Sequence, residues 1–269
     1  MAALVASALA GALVAASWFG GRYALAAGVA AVQVILVVGL ARTADVPAGR
    51  ASSALAVLAG LGSGGYVAAT AAGPFDPETM TPLLVAVGAG FVAMVVVQLA
   101  RRDGRAGLTP SLTFGVTALL LATATVDWLA LGDDTVGEAM LLVGLTGAAV
   151  GAAIMIFPGP ALLWLVGGTI AAASVGLVLQ AYVEPIDAAD LGPLTAAVAA
   201  GVAGLASAVG VRTARLLREE RSLGRHASLA THAPLSSLTH VLTLASLPIA
   251  LAAPATVAAS WAFSDGLLA

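Results

Sequence analysis

Long apolar stretches separated by short polar breaks run through almost the whole chain. A transmembrane α-helix needs about 20 apolar residues to cross a hydrocarbon core of about 30 Å, and many stretches approach that length. The ten-residue alternation typical of membrane β-strands does not occur. The pattern predicts an all-α polytopic transmembrane protein with about nine transmembrane helices, at residues 2–19, 23–40, 51–72, 82–100, 112–131, 137–157, 161–182, 191–211 and 238–262.

The polar breaks alternate in charge along the chain. Ten of the eleven basic residues, all of them arginines, follow the second, fourth and eighth predicted spans. Most carboxylates lie in the opposite breaks, where Arg22 is the one basic residue. The positive-inside rule makes the arginine-bearing side cytoplasmic, which predicts a multi-pass plasma-membrane protein with a cytoplasmic N-terminus and an extracytoplasmic C-terminus. Aromatic residues near the outer span ends fit a headgroup belt, namely Trp18, Tyr23, Trp128, Tyr182 and Trp261.

The first span has an alternative interpretation as a signal peptide, because it is short and followed by small residues. It lacks a positively charged n-region, which favours a retained helix. Cleavage there would leave the orientation of the other spans unchanged.

Proline and acidic residues recur at a fixed offset of 111 residues. Pro74-Phe75-Asp76 followed by Pro82 matches Pro185-Ile186-Asp187 followed by Pro193, with the same internal spacing. The offset carries the first four spans onto the next four. Within one transmembrane domain of residues 1–269, it predicts a parallel 4+4 tandem repeat, about 1–110 and 111–225, plus a final helix at about 238–262. The alternative is convergence on short Pro-Asp loops.

Several residue types with characteristic chemistry are missing. The chain has no cysteine and no lysine, so it forms no disulfide, thiolate or Schiff base. A phosphate-binding Gly-rich loop with lysine is also missing, and the three histidines have spacings that suit no metal site. We therefore expect no cofactor, no metal and no nucleic-acid partner, and an enzyme is disfavoured.

Glycine pairs and prolines predict how the helices pack. Gly60 with Gly64, and Gly147 with Gly151, are small-xxx-small pairs that allow helix backbones to approach closely. Pro248 and Pro254 lie inside the last span and predict a kink or local unwinding there.

Few polar side chains occupy the predicted spans. Ion-coupled carriers usually need an ionisable group near the membrane midplane, and this chain offers only Asp127 and His240, both near span ends. Gln33 is predicted to form an interhelical hydrogen bond. The low-specificity candidates for a substrate pathway are Gln33, Ser63, Thr70, Thr123 and Asp127.

The segment 211–225 is strongly basic. It is predicted to extend the eighth span as a helix, and its arginines are candidates for binding anionic lipid headgroups at the cytoplasmic face or a protein partner. They are Arg212, Arg215, Arg218, Arg221 and Arg225.

Three function classes remain, of which a lipid-handling membrane enzyme is disfavoured because the chain offers no plausible nucleophile, base or metal site. The first is a permease-like transport component for a neutral or lipidic solute without strong ion coupling, favoured by the number of spans and the duplication. The alternative is a non-catalytic scaffold or accessory subunit of a larger membrane complex, favoured by the small loops and the nearly uncharged interior.

Overall fold

All regular secondary structure in the described part of the chain is helical. The computed structural model describes residues 2–44, 49–70, 77–101, 107–131, 135–157, 159–183, 192–225 and 235–264. The helices are α1 (Ala2–Ala44), α2 (Gly49–Thr70), α3 (Pro77–Leu99), α4 (Leu108–Ala124), α5 (Asp127–Leu131), α6 (Thr135–Ile154), α7 (Ala161–Tyr182), α8 (Pro193–Arg225) and α9 (Leu235–Ser264). Counting α4 and α5 together, eight are long and apolar enough to cross a membrane. The chain is a multi-pass membrane protein.

Helix α1 reverses direction at Gly21. This residue has a φ of 63° and a ψ of −165°, a conformation that glycine adopts readily because it has no Cβ. Residues 13 and 28 would lie about 22 Å apart in a straight helix, yet a Cβ on Gly28 would lie 2.7 Å from the Leu13 side chain. The predicted break between residues 19 and 23 is therefore confirmed, and the two halves of α1 lie side by side.

Helix α4 ends earlier than the sequence predicts. The predicted span 112–131 is interrupted at residues 125–126, before the short helix α5. The Thr125 hydroxyl donates to the Ala122 carbonyl at 2.7 Å, and the Val126 N–H donates to the Thr123 carbonyl at 3.0 Å. Threonine side chains that bond the preceding turn bend helices, which gives a local cause for the interruption.

Trp128 lies inside the helix bundle. It is 0% exposed within the main apolar cluster, and its indole N–H donates to the Ile249 carbonyl of α9 at 3.1 Å. The predicted position in an outer aromatic belt is therefore wrong for this residue, because α5 packs against α1, α2, α6 and α9. Trp18, Tyr23, Tyr182 and Trp261 are exposed, as a lipid-facing or headgroup position requires.

Helix α9 passes through both prolines without leaving the helical conformation. The predicted local unwinding is therefore not present. At Pro248 the neighbouring helix comes very close, since a Cβ on Gly210 of α8 would lie 2.8 Å from the Pro248 Cα. Close backbone packing against α8 supports this part of α9.

The two halves of the chain pack differently. Helix α8 lies against α6, α7 and α9, whereas α3, its counterpart under the 111-residue offset, packs against α2 and α4. The Pro-Asp loops at 74–76 and 185–187 lie outside the described residues, as do Asp133 and Asp134. The tandem repeat remains a prediction.

Candidate functional site

Gln33 joins helices α1 and α2 to α4, the first helix of the predicted second repeat. Its side chain is 1% exposed, and its amide Nε2 donates to the Ala122 carbonyl of α4 at 2.9 Å and to the Gly60 carbonyl of α2 at 3.4 Å. An unpaired amide in this apolar surrounding would cost several kcal/mol. The predicted interhelical hydrogen bond is confirmed.

Glycine in α2 makes room for this amide. A Cβ on Gly60 would lie 3.1 Å from the Ala122 Cβ and 3.3 Å from the Gln33 Cδ, and one on Gly64 would lie 3.5 Å from the Leu129 Cδ1. Gly60 and Gly64 therefore form the predicted close-packing surface. We call this region, formed by Gln33 of α1, the buried residues Gly60, Ser63 and Gly64 of α2, and the buried residues Leu119, Ala122 and Thr123 of α4, the Gln33 interface.

Ser63 and Thr123 are buried beside this contact and bond their own helices. The Ser63 hydroxyl donates to the Ala59 carbonyl at 2.7 Å, and the Thr123 hydroxyl donates to the Leu119 carbonyl at 2.9 Å. Thr70 lies about 10 Å further along α2 than Ser63 and donates to the Tyr66 carbonyl at 3.1 Å. Gln33, Ser63 and Thr123 thus lie in the segments that form this interface, and the donor groups of all three side chains bond protein carbonyls.

Asp127 is the remaining pathway candidate and has a different environment. It begins α5 directly after the interruption at residues 125–126 and is partly buried. Within the part of the chain that the structure describes, its carboxylate forms no hydrogen bond or ion pair with another residue. A carboxylate at a helix interruption can contact a solute or ion. Among the described residues, Asp127 is thus the one pathway candidate whose side chain has no protein hydrogen-bond partner.

A buried polar network that the sequence did not reveal lies at the arginine-bearing end of the first half. The Gln98 amide donates to the Ser52 hydroxyl oxygen at 3.2 Å, and Arg101 Nη1 donates to the Gln98 Oε1 at 2.9 Å. Ser52 and Gln98 are each 1% exposed. The network ties α2 to the end of α3, but the 46-residue separation of the partners leaves no local sequence signal.

Arg22, the exception to the charge pattern, has a structural role. Its Nη2 donates to the Val67 carbonyl at 2.8 Å, one of the last four carbonyls of α2, which have no intrahelical donor. A cation at a helix C-terminus also interacts favourably with the helix dipole. Arg22 thus connects the reversal in α1 to the end of α2.

The second half is held by a glycine interface between α6 and α8. A Cβ on Gly147 would meet the Ala200 backbone, and one on Gly151 would meet the Gly204 backbone. Hydroxyls add interhelical hydrogen bonds, since Ser207 donates to the Ala148 carbonyl at 2.8 Å and Ser7 to the Ala149 carbonyl at 2.9 Å. The predicted packing role of Gly147 and Gly151 is confirmed.

The basic segment continues α8 without a break to Arg225, as predicted. For metals, the described residues contain no group of three or more His, Asp or Glu side chains close enough to bind an ion together. His226 and His232 lie outside the described residues.

The chain matches no protein family, and it is not significantly similar to any curated protein or any solved structure. The function is therefore argued from the geometry of the helices and their polar contacts.

Proposed function

We propose that this chain is a non-catalytic scaffold or accessory subunit of a larger membrane complex. The observation that supports it most is the Gln33 interface, where Gln33, Ser63 and Thr123 bond helix backbones in close-packed surroundings. A solute pathway needs polar groups directed at the solute, whereas the donor groups of these side chains bond protein carbonyls. The sequence alone favoured a transport function over a scaffold. The hydrogen bonds of these side chains favour the scaffold.

The proposed placement is the plasma membrane, with nine passes, a cytoplasmic N-terminus and an extracytoplasmic C-terminus. The reversal at Gly21 supports two passes within α1. The arginine-rich and acid-rich breaks on opposite sides support the orientation. Anionic lipid headgroups at the cytoplasmic face are the proposed lipid partners of the arginines nearest the membrane.

Reconstitution tests the scaffold against the transport function. Full-length protein is reconstituted in liposomes, and two rates are measured. The first is the bleaching of inner-leaflet fluorescent lipid by external dithionite, and the second is glycerol permeation in stopped-flow swelling. Both rates are expected to equal those of protein-free liposomes. A known lipid scramblase at equal density is the positive control for the first assay. Flux that rises in proportion to the protein would contradict the scaffold proposal.

The second candidate function is a permease for a neutral or lipidic solute, and the interruption between α4 and α5 with Asp127 favours it. If protein-dependent flux is found, Asp127→Asn should lower it about tenfold, since a hydrogen bond to a charged group contributes about 1.5–3 kcal/mol. Ser63→Ala is the matched control, because Ser63 bonds its own helix, and should leave the flux unchanged. If the flux of both variants stays at the wild-type level, Asp127 is excluded from the pathway.

A further inference from the structure

Helix α8 is much longer than a membrane requires. Its 33 residues extend about 50 Å at 1.5 Å per residue. The apolar part, Pro193–Thr213, has 21 residues, which cover about 31 Å and match a hydrocarbon core of about 30 Å. Residues 214–225 therefore continue the same helix about 18 Å beyond the core.

This extension carries its last arginines past the lipid headgroups. The headgroup layer on each side is about 5–7 Å thick, so the helix leaves it near residue 218. At Arg225 the helix axis lies about 11 Å further out, beyond the Debye length of about 8 Å at physiological salt. An average tilt of about 20° shortens these distances only slightly. Headgroups account for Arg212 and Arg215. At Arg221 the helix axis lies about 4–5 Å beyond the headgroup layer, and only Arg225 lies beyond the Debye length.

Three of the four arginines of the extension share one side of the helix. At about 100° per residue, positions 218, 221 and 225 fall within a sector of about 60°. The two glutamates, Glu219 and Glu220, fall about 130° away from the centre of that sector. The register thus separates the charges into a basic side and an acidic side. We call Arg218, Arg221 and Arg225 the distal arginine stripe.

We propose that the distal arginine stripe docks an acidic surface of a cytosolic protein. The partner surface would carry carboxylates over about 10 Å, the length of seven helical residues, because guanidinium groups bind carboxylates in bidentate pairs. This inference rests on the proposed scaffold function and on the proposed cytoplasmic location of the arginines. It adds the chemistry of the partner to that function.

Peptide binding to full-length protein in phosphatidylcholine nanodiscs tests the proposal. The probe is a soluble fluorescent helix with glutamates spaced four and three residues apart, and binding is followed by anisotropy. The double variant Arg218→Glu/Arg221→Glu should weaken binding at least about tenfold, because two ion pairs are lost and the new carboxylates repel the glutamates of the probe. Arg42→Glu/Arg50→Glu has the same net charge change elsewhere and should weaken it less than about threefold.

Equal losses in the two double variants would overturn the proposal, since they would indicate unspecific attraction. The milder Arg218→Gln/Arg221→Gln variant, checked for monodispersity, must also weaken binding, and unchanged binding there overturns it as well. Proteoliposome flux is a separate readout, so the scaffold function can fail while specific binding persists.

A membrane location of the stripe is tested separately. The chain contains no cysteine, so Ser222→Cys provides a single site for a nitroxide label. Its accessibility to a water-soluble relaxation agent should be the same in neutral and phosphatidylglycerol-containing nanodiscs. A large loss of accessibility with the anionic lipid would assign the stripe to the membrane surface and overturn protein docking.

Discussion

Replacing Gly147 and Gly151 by leucine is expected to prevent α6 and α8 from packing. Added side chains at these positions would meet the backbones of Ala200 and Gly204, which cannot move aside as a flexible side chain can. Overpacking a well-packed core typically costs about 1–3 kcal/mol per site, and rigid neighbours favour the upper end of that range. Two such sites together would cost about 6 kcal/mol, a large share of the roughly 5–15 kcal/mol that stabilises a typical domain.

The matched control is Gly62→Leu/Gly65→Leu in α2. No atom lies within 4 Å of a Cβ added at either position, so this variant should remain folded. The measurement is the temperature at which the monodisperse peak is lost from size-exclusion chromatography in mild detergent. A Gly147→Leu/Gly151→Leu protein as heat-resistant as the control would show that α6 and α8 do not depend on glycine contacts.

Trp128→Ala is expected to produce the second large loss of stability. The indole is fully buried and donates to the Ile249 carbonyl, and truncation of a buried tryptophan typically costs about 3–5 kcal/mol. Trp128→Phe keeps most of the ring and loses the hydrogen bond, with an expected cost nearer 1 kcal/mol plus the smaller packing loss. Guanidinium or heat unfolding in detergent, followed by circular dichroism, measures both variants.

Trp18→Ala provides the control for tryptophan removal. The Trp18 side chain is 49% exposed, so its removal should lower stability only slightly. Similar losses for Trp18→Ala and Trp128→Ala would mean that α5 is not held in the bundle as described.

The sequence predicted the helices well because lipid permits few alternatives. A backbone that crosses the hydrocarbon core must satisfy its polar groups internally, so long apolar runs become helices, and the run 161–182 coincides with α7. The reversal at Gly21 was also predictable, since Gly20, Gly21 and Arg22 interrupt the apolar pattern. The interruption at 125–126 was not, because it depends on threonine hydroxyls bonding the preceding turn.

The sequence could not show which apolar faces contact protein. Helices α3 and α7 are as apolar as their neighbours but are the least buried of the candidate spans. Lipid chains and protein interiors are similarly apolar, so composition does not separate them. Trp128 illustrates the consequence, because its position near a span end suggested a headgroup contact while neighbouring helices cover it.

The candidate site was predictable only in part. Gln33 lies farther from a span end than Gln98 and Gln180, so a partner on another helix was expected. The contact of Gln98 with Ser52 needs the packing of α2 against α3, which no local pattern specifies. The role of Asp127 remains a prediction, because its environment depends on how α5 is surrounded.

We infer that the polar side chains of the Gln33 interface bond protein and face no water-filled pathway. Cysteine accessibility tests this in the cysteine-free chain, with Ser63→Cys, Thr123→Cys and Ser222→Cys, the last beyond the apolar part of α8, treated in membranes with a charged methanethiosulfonate reagent supplied to both sides. We predict rapid labelling at position 222, and labelling at positions 63 and 123 only after denaturation. Labelling of positions 63 and 123 in the folded protein at rates close to that of position 222 would show that water reaches the interface.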